Sequence, residues 1–196
     1  MYANYEMESD LHASGHAVIV GIDEVGRGAL AGPLVAAAVV LPNNCQLNLQ
    51  DSKKLSRARR NLLVDDILAC ADDFGVGSAS HVEIDQFGLS IALRMAFVRA
   101  LEMLDHPFSI AILDGTHNAI GEDFVICRAK ADADVACVAA ASIVAKVYRD
   151  ELMRDCGEIY PEYGFGSHVG YGTEIHRKAI ETYGPSPWHR HSFGVG

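Results

Sequence analysis

Nothing in the 196-residue chain approaches the run of about 18 consecutive apolar residues that a membrane-spanning helix requires, so a helical membrane protein is excluded. Residues 1–16 carry Glu6, Glu8 and Asp10 and lack a basic, apolar leader; they read as a short, loosely held tail and not as a secretory signal. Paired cysteines are missing too. Cys45, Cys70, Cys127, Cys137 and Cys156 are odd in number and include no CxxC pair, a pattern that predicts reduced thiols in a cytoplasmic protein, most of them small core residues. There is no Gly-x-Ser-x-Gly elbow, no P-loop and no dinucleotide fingerprint, which argues against serine hydrolases, P-loop nucleotide hydrolases and Rossmann dehydrogenases.

Basic charge is also scarce. Sixteen Lys and Arg against 26 Asp and Glu leave a net charge of −10, and phosphate backbones repel such a protein at long range. The distribution weakens that objection. Between positions 51 and 60, Lys53, Lys54, Arg57, Arg59 and Arg60 face the single acid Asp51. From His168 onward, Arg177, Lys178 and Arg190 outnumber Glu174 and Glu181, and His168, His176, His189 and His191 add charge in mild acid. A basic rim around an acidic centre is compatible with these numbers.

What is present is the composition of a compact enzyme: 49% hydrophobic and 21% charged residues in a length that suits one domain with a substantial core. Its most informative stretch is Gly21-Ile22-Asp23-Glu24-Val25-Gly26-Arg27-Gly28. The β-branched run from Ala17 to Ile22 predicts a buried strand with Asp23 and Glu24 emerging at its carboxyl end, where α/β sheets present ligands. Neighbouring strand residues face opposite sides, so the two acids share a target only if the chain bends. Gly26 and Gly28 permit that bend and expose N–H groups to an anion, and Arg27 offers a planar donor to phosphate. A charged, solvated turn is the simpler alternative.

Further strands are predicted over 34–41, 74–80, 108–113 and 124–127, and helices from Ser56 through Leu68, over 89–104, 135–156 and 173–182. Ser56 is the expected cap of the first helix, whose exposed face would carry the arginines. No linker or internal repeat interrupts this alternation. Asp114 follows an apolar strand and precedes a glycine, as Asp23 and Glu24 precede Gly26, so a parallel or mixed sheet brings both strand ends to one edge. Asp132, just before the long helix, fits either a ligand or an acid stabilised by the helix dipole. Tyr171 between two glycines fits an ordinary turn aromatic, Lys53 and Lys54 a solvated loop, and Lys146 a helix surface.

Six ordered motifs resemble the type 2 ribonucleases H, the ribonuclease HII family. They are Asp23–Gly28 with the following Ala29-Leu30-Ala31-Gly32-Pro33, Asp51-Ser52-Lys53-Lys54-Leu55-Ser56, Ile112–Gly115, Lys130-Ala131-Asp132 with Ala139–Val147, Gly170–Thr173 and His189–Gly194. The resemblance implies an α/β ribonuclease H-like fold: a central mixed five-stranded sheet flanked by helices, with a helical C-terminal extension. Residues 17–196 would form one catalytic domain behind a flexible tail over 1–16.

It further implies a metal-dependent endoribonuclease that hydrolyses the RNA strand of RNA/DNA hybrids and cuts at single ribonucleotides in duplex DNA, leaving 3′-hydroxyl and 5′-phosphate ends. Asp23, Glu24, Asp114 and Asp132 would be the catalytic metal ligands. An all-oxygen set suits Mg2+ or Mn2+, in a two-ion arrangement, and not zinc. Gly26, Arg27, Gly28 and Tyr171 would sense the 2′-hydroxyl, and Ser52, Lys53, Lys54, Lys146 and Arg190 would contact phosphates. The four C-terminal histidines would take surface or phosphate-neighbour roles. A cytoplasmic monomer with no membrane partner is expected. Val169, His191, Gly88 and Asp134 depart from the family pattern and imply weaker binding, not lost catalysis. A hybrid-binding module that retains the fold but cleaves slowly or not at all, and a metal nuclease of the same general fold acting on DNA, remain as alternative readings.

Overall fold

The structure, a computed structural model, describes residues 3–43, 45, 47, 49 and 56–194. Five strands, Ile19–Val25 (β1), Leu34–Val40 (β2), Asp73–Ala79 (β3), Ile110–Asp114 (β4) and Val125–Arg128 (β5), form one sheet in the order β3-β2-β1-β4-β5. β1, β2 and β3 pair antiparallel, whereas β1, β4 and β5 run parallel, so the expected mixed sheet is present. Strand β1 continues three residues past the expected end. Asp23 and Glu24 therefore lie within it, opposite Ala37 and Ala36 of β2.

Eight helices are present among the described residues: Glu6–Ala13 (α1), Arg57–Cys70 (α2), His81–Phe87 (α3), Leu89–Glu102 (α4), Ala131–Asp134 (α5), Ala136–Ile159 (α6), Phe165–His168 (α7) and Glu174–Tyr183 (α8). Period-2 alternation divides the sheet between two cores. Ile19, Val35, Ala37 and Val39 meet α6 and α2 on one face, while Val20, Ile22, Ala36 and Ala38 meet α3 and α4 on the other. Helix α6 lies close against the sheet because its contact face is largely alanine and because β1 has Gly21 beneath it; a Cβ there would overlap the Cys137 carbonyl.

Ser56 caps α2, accepting from the Arg59 amide at 3.3 Å. Helix α3, which the apolar periodicity did not signal, starts with a complete capping box between Ser80 and Glu83. Glu83 is also paired with Arg99 at 2.7 Å, which holds its carboxyl down at about 2. None of the helices is long and apolar enough to cross a membrane among the described residues.

Two expectations need correction. Residues 6–13 form a helix that docks on the body of the protein, not a loose tail. Its Glu8 is buried and accepts the Cys137 amide at 2.9 Å, covering a donor in the first turn of α6. The cysteines are not all free either: Cys45, five residues past β2, and Cys70, the last residue of α2, are joined, their Cα atoms 6.2 Å apart. Cys127, Cys137 and Cys156 are free thiols, and burial raises the pKa of each.

Candidate active site

Parallel pairing of β1 and β4 in the register Ile22 with Leu113 sets Asp23 of β1 beside Asp114 at the end of β4. Asp23 faces α6 and is almost fully buried; its carboxylate accepts from the Glu24 amide at 2.8 Å and from the Ser142 hydroxyl. Burial pushes its pKa well above the carboxylate range, with the charges of Glu24 and Asp114 adding to the shift. Glu24 is raised by burial as well, and Asp114 reinforces this, although Arg27 at 3.2 Å pulls the other way. Asp114 accepts the Ala131 amide at 2.7 Å, one residue before the buried Asp132. Three of the predicted ligands thus act on one another electrostatically, and the fourth is adjacent in sequence to a group that Asp114 holds.

No three Asp, Glu, His or Cys side chains among the described residues converge closely enough to enclose an ion as they stand. The expected metal-sized cluster is therefore not closed, and the reason is local. Glu24 is drawn to Arg27, Asp23 to Ser142 and an amide, and Asp114 to Ala131. The donor set still fits a hard divalent cation: the groups are all carboxylates, and their mutual repulsion is the perturbation that such an ion relieves.

A cavity of about 390 Å³ opens beside these acids, lined by Asp23, Glu24, Arg60, Ser142, Lys146 and Tyr171 among others. Lys146 pairs with Asp150 at 2.7 Å and sits 5.8 Å from the Tyr171 ring centroid. Arg60, expected on the exposed face of α2, instead turns inward to within 3.9 Å of Asp150, with its side chain only 13% exposed. Its place on the helix wheel does not announce this, because the neighbouring arginines are exposed. Ser142 and Asp150 were also missed; Ser142 lies within a quoted motif, and Asp150 follows Lys146 by one helical turn.

The Gly26-Arg27-Gly28 loop and Tyr171 do come together. Ala29 bridges Tyr171, the Leu30 amide donates to the Gly170 carbonyl at 2.8 Å, and Ala31 bridges His189. Beneath this small sheet lies Arg149, which donates to Pro33, Val169 and Ala31 carbonyls at 2.8, 2.9 and 3.1 Å. Gly26, at φ 97°, has no room for a side chain because a Cβ would overlap the Arg149 guanidinium. Val169 takes the left-handed conformation at φ 46°, with its carbonyl fixed by Arg149.

Arg190 is not a surface phosphate contact. It is fully buried and donates to the Gly32 and Arg27 carbonyls at 2.9 and 3.1 Å, and burial lowers its pKa to about 9. Three of the four C-terminal histidines, His168, His176 and His189, are likewise buried, contrary to their expected surface roles, and His191 alone is exposed. Among the departures, Asp134 is tied to Arg128 and Gly88 links α3 to α4 at φ 81°. Ser52, Lys53 and Lys54 lie outside the described residues.

Residues 20–195 match the family model described as Ribonuclease HII. The chain is 44% identical to the ribonuclease HII of Hydrogenovibrio crunogenus over 184 residues, covering 93% of this chain and 88% of that protein. It is also 44% identical over 189 residues to the Geobacillus kaustophilus protein of the same name, covering 95% and 72%. Among solved structures, the ribonuclease H2 of Pyrococcus horikoshii superposes with a TM-score of 0.77 at 29% identity, over 91% of this chain and 94% of that one. A Bst-RNase HIII solved in complex with Mn2+ shares the fold alone, with a TM-score of 0.65 at 19% identity, over 94% of this chain and 67% of that one. With the family model spanning nearly the whole chain and close relatives agreeing, the protein belongs to the ribonuclease HII family, endonucleases that hydrolyse RNA in RNA/DNA hybrids and cut at ribonucleotides in DNA.

Proposed function

We propose that the cavity beside Asp23 is the catalytic centre of this endoribonuclease, within a catalytic unit over residues 17–196. The observation that carries the reading is the electrostatic coupling of Asp23, Glu24 and Asp114 at the carboxyl ends of β1 and β4, beside a cavity shared with Lys146 and Tyr171. Asp23, Glu24, Asp114 and Asp132 would hold Mg2+ or Mn2+, which supplies an activated water and stabilises the leaving oxygen during phosphodiester hydrolysis.

The protein's own groups do the choosing. Gly26, Arg27 and Gly28 present backbone to the 2′-hydroxyl, and the Tyr171 ring packs against the neighbouring sugar, so a deoxyribose strand binds without being cut. Lys146 contributes positive charge at the rim, with Ser52, Lys53 and Lys54 as further phosphate contacts. Arg190 serves the loop from below instead of the substrate. The protein acts as a cytoplasmic monomer on RNA/DNA hybrids and on duplex DNA containing ribonucleotides.

Incubation of an end-labelled DNA duplex containing one ribonucleotide with Mg2+, Mn2+ or a chelator tests the reading. Cleavage beside the ribonucleotide with either ion, 3′-hydroxyl and 5′-phosphate ends, and none with chelator or with an all-deoxyribose duplex, is expected. Cleavage that persists in chelator, or that ignores the 2′-hydroxyl, would overturn it.

A further inference from the structure

The three buried histidines meet behind the segment that carries Tyr171. His176 Nδ1 lies 3.0 Å from the Tyr171 carbonyl, and its Nε2 lies 3.0 Å from His189 Nε2. The Ser186 amide lies 2.8 Å from His189 Nδ1. The Ser186 hydroxyl also lies 2.8 Å from His189 Nδ1 and can serve as donor or acceptor, so it is the backbone groups at the two ends, whose roles are fixed, that set the protons between them. The Ser186 N–H donates, which makes His189 Nδ1 an acceptor and leaves its Nε2–H to donate to His176. His176 Nε2 then accepts, and its Nδ1–H donates to Tyr171.

His168 repeats the arrangement next door. Its Nε2 lies 2.8 Å from the Tyr163 carbonyl and must donate there, so its Nδ1 accepts the Gly170 amide at 3.3 Å; its ring stacks on His176 with centroids 4.4 Å apart. The Gly170 carbonyl in turn accepts from Leu30 at 2.8 Å. The Tyr171 segment is thus fixed on one side by the strand that follows the glycine loop and on the other by imidazoles.

We propose that His176 and His189 are positioning residues that hold the Tyr171 backbone from behind and so set how well a single embedded ribonucleotide is recognised. The inference rests on the reading of Tyr171 as a sugar contact. With the Ser186 amide as donor this chain holds both rings neutral, because an added proton at either ring sets donor against donor or against that amide. The charged and titratable neighbours facing the pair are Tyr163, His168 on α7, Arg177 on α8, His191 and His81, none of them a carboxylate; only backbone contacts from Tyr171 and Ser186 favour protonation, and burial outweighs them. Burial lowers the pKa of His176 and takes that of His189 to about 4.

Amide side chains separate a positioning role from simple core filling. Asn places its amide near the imidazole Nδ1 position and preserves the donor to Tyr171, whereas Gln reaches the Nε2 position and withdraws it. His176→Gln is expected to lower kcat on the single-ribonucleotide duplex about tenfold with KM changed less than twofold, while His176→Asn retains most of the parent kcat. In a Tyr171→Ala background His176→Gln should add little, because it acts through that residue.

Should His176→Gln fail to fold, His189→Asn withdraws the proton offered to His176 and is expected to show the same loss of kcat. Equal kcat for His176→Gln and the parent, with circular dichroism confirming both folded, overturns the inference, as does equal loss in His176→Gln and His176→Asn. If Tyr171→Ala itself cleaves the single-ribonucleotide duplex at the parent rate, the reading of Tyr171 falls, and this inference falls with it.

Discussion

Two buried charged regions lie side by side in this protein and are treated in opposite ways. At the ends of β1 and β4, Asp23, Glu24 and Asp114 crowd like charges, and burial plus mutual repulsion raises the pKa of Asp23 and Glu24. Behind the Gly26 loop, Arg149 and Arg190 are just as deeply buried and also repel one another, yet five bonds to backbone carbonyls answer them, leaving only Arg190 Nη2 of their nitrogens without a partner among the described residues. The first arrangement costs stability and makes sense where a bound cation completes it. The second spends its charge on fixing a loop, since each guanidinium ties together backbone segments distant in sequence. A charged residue in a sequence motif can therefore belong to the chemistry or to its scaffold, and only its partners tell which.

Neutralising one member of each region should separate them most sharply. Asp23→Asn is expected to reduce cleavage at least about a thousandfold, while raising the stability of the metal-free protein by about 1 kcal/mol through relief of buried repulsion. Cleavage assays with urea unfolding of the same sample check both signs at once. A variant that lost activity and stability together would place Asp23 with the scaffold.

Arg190→Met makes the converse cut. It leaves the Gly32 and Arg27 carbonyls without their buried donor, so a stability loss of about 3 kcal/mol is expected. The salt dependence of duplex binding should stay at the parent slope, because a buried guanidinium releases no counterions. A shallower slope with unchanged stability would restore Arg190 to the phosphate-binding set.

Acid should push the carboxylate cluster and the buried histidines behind Tyr171 in opposite directions. His189 titrates near 4 in the folded protein and about 6.5 when unfolded. Its contribution is thus fully present above about pH 6.5 and is lost as pH falls toward 4, by up to about 3 kcal/mol. Asp23 and Glu24 have raised folded pKa values, so their penalty grows as pH rises above about 4 and acid relieves it. Melting temperatures between pH 7 and 4.5 should fall more steeply for Asp23→Asn than for the parent, and less steeply for His189→Asn. Identical profiles for all three would mean that neither the carboxylate cluster nor His189 governs acid stability.

The sheet was almost wholly legible from the sequence, because apolar runs of strand length bounded by Gly, Pro and acids have few other readings. Placement of Asp114 at a strand end followed from the same pattern, whereas Asp23 lies inside β1, which continues to Val25. Helix α3 was not anticipated, although the Ser80 and Glu83 spacing carries a capping-box signal; at seven residues it is too short for apolar periodicity to register. Arg190, His176 and His189 were misassigned to the surface because residue type sets the expectation for polar groups, while their burial depends on carbonyls and rings supplied by segments distant in sequence. The Cys45–Cys70 bond was missed for the same reason, since the two lie 25 residues apart and meet only in the folded chain. Arg60 differs again: it turns toward Asp150 on another helix, which its own helix position does not signal.

The smallest expected effect lies at the boundary between the two regions. Lys146 is paired with Asp150 and stands near the Tyr171 ring, but its side chain remains 21% exposed and lines the cavity beside Asp23. It is neither buried scaffold like Arg149 nor a crowded acid. Removing it as Lys146→Met keeps the aliphatic stem and deletes one cation, so stability should change by less than about 1 kcal/mol. If the ammonium leaves Asp150 to meet a phosphate, binding of a single-ribonucleotide duplex should weaken several-fold at low salt, and the slope of log affinity against log salt should become shallower by roughly 0.9, the value for one lost phosphate contact. An unchanged slope would mean that Lys146 stays with Asp150 when the duplex binds and belongs with the scaffold after all.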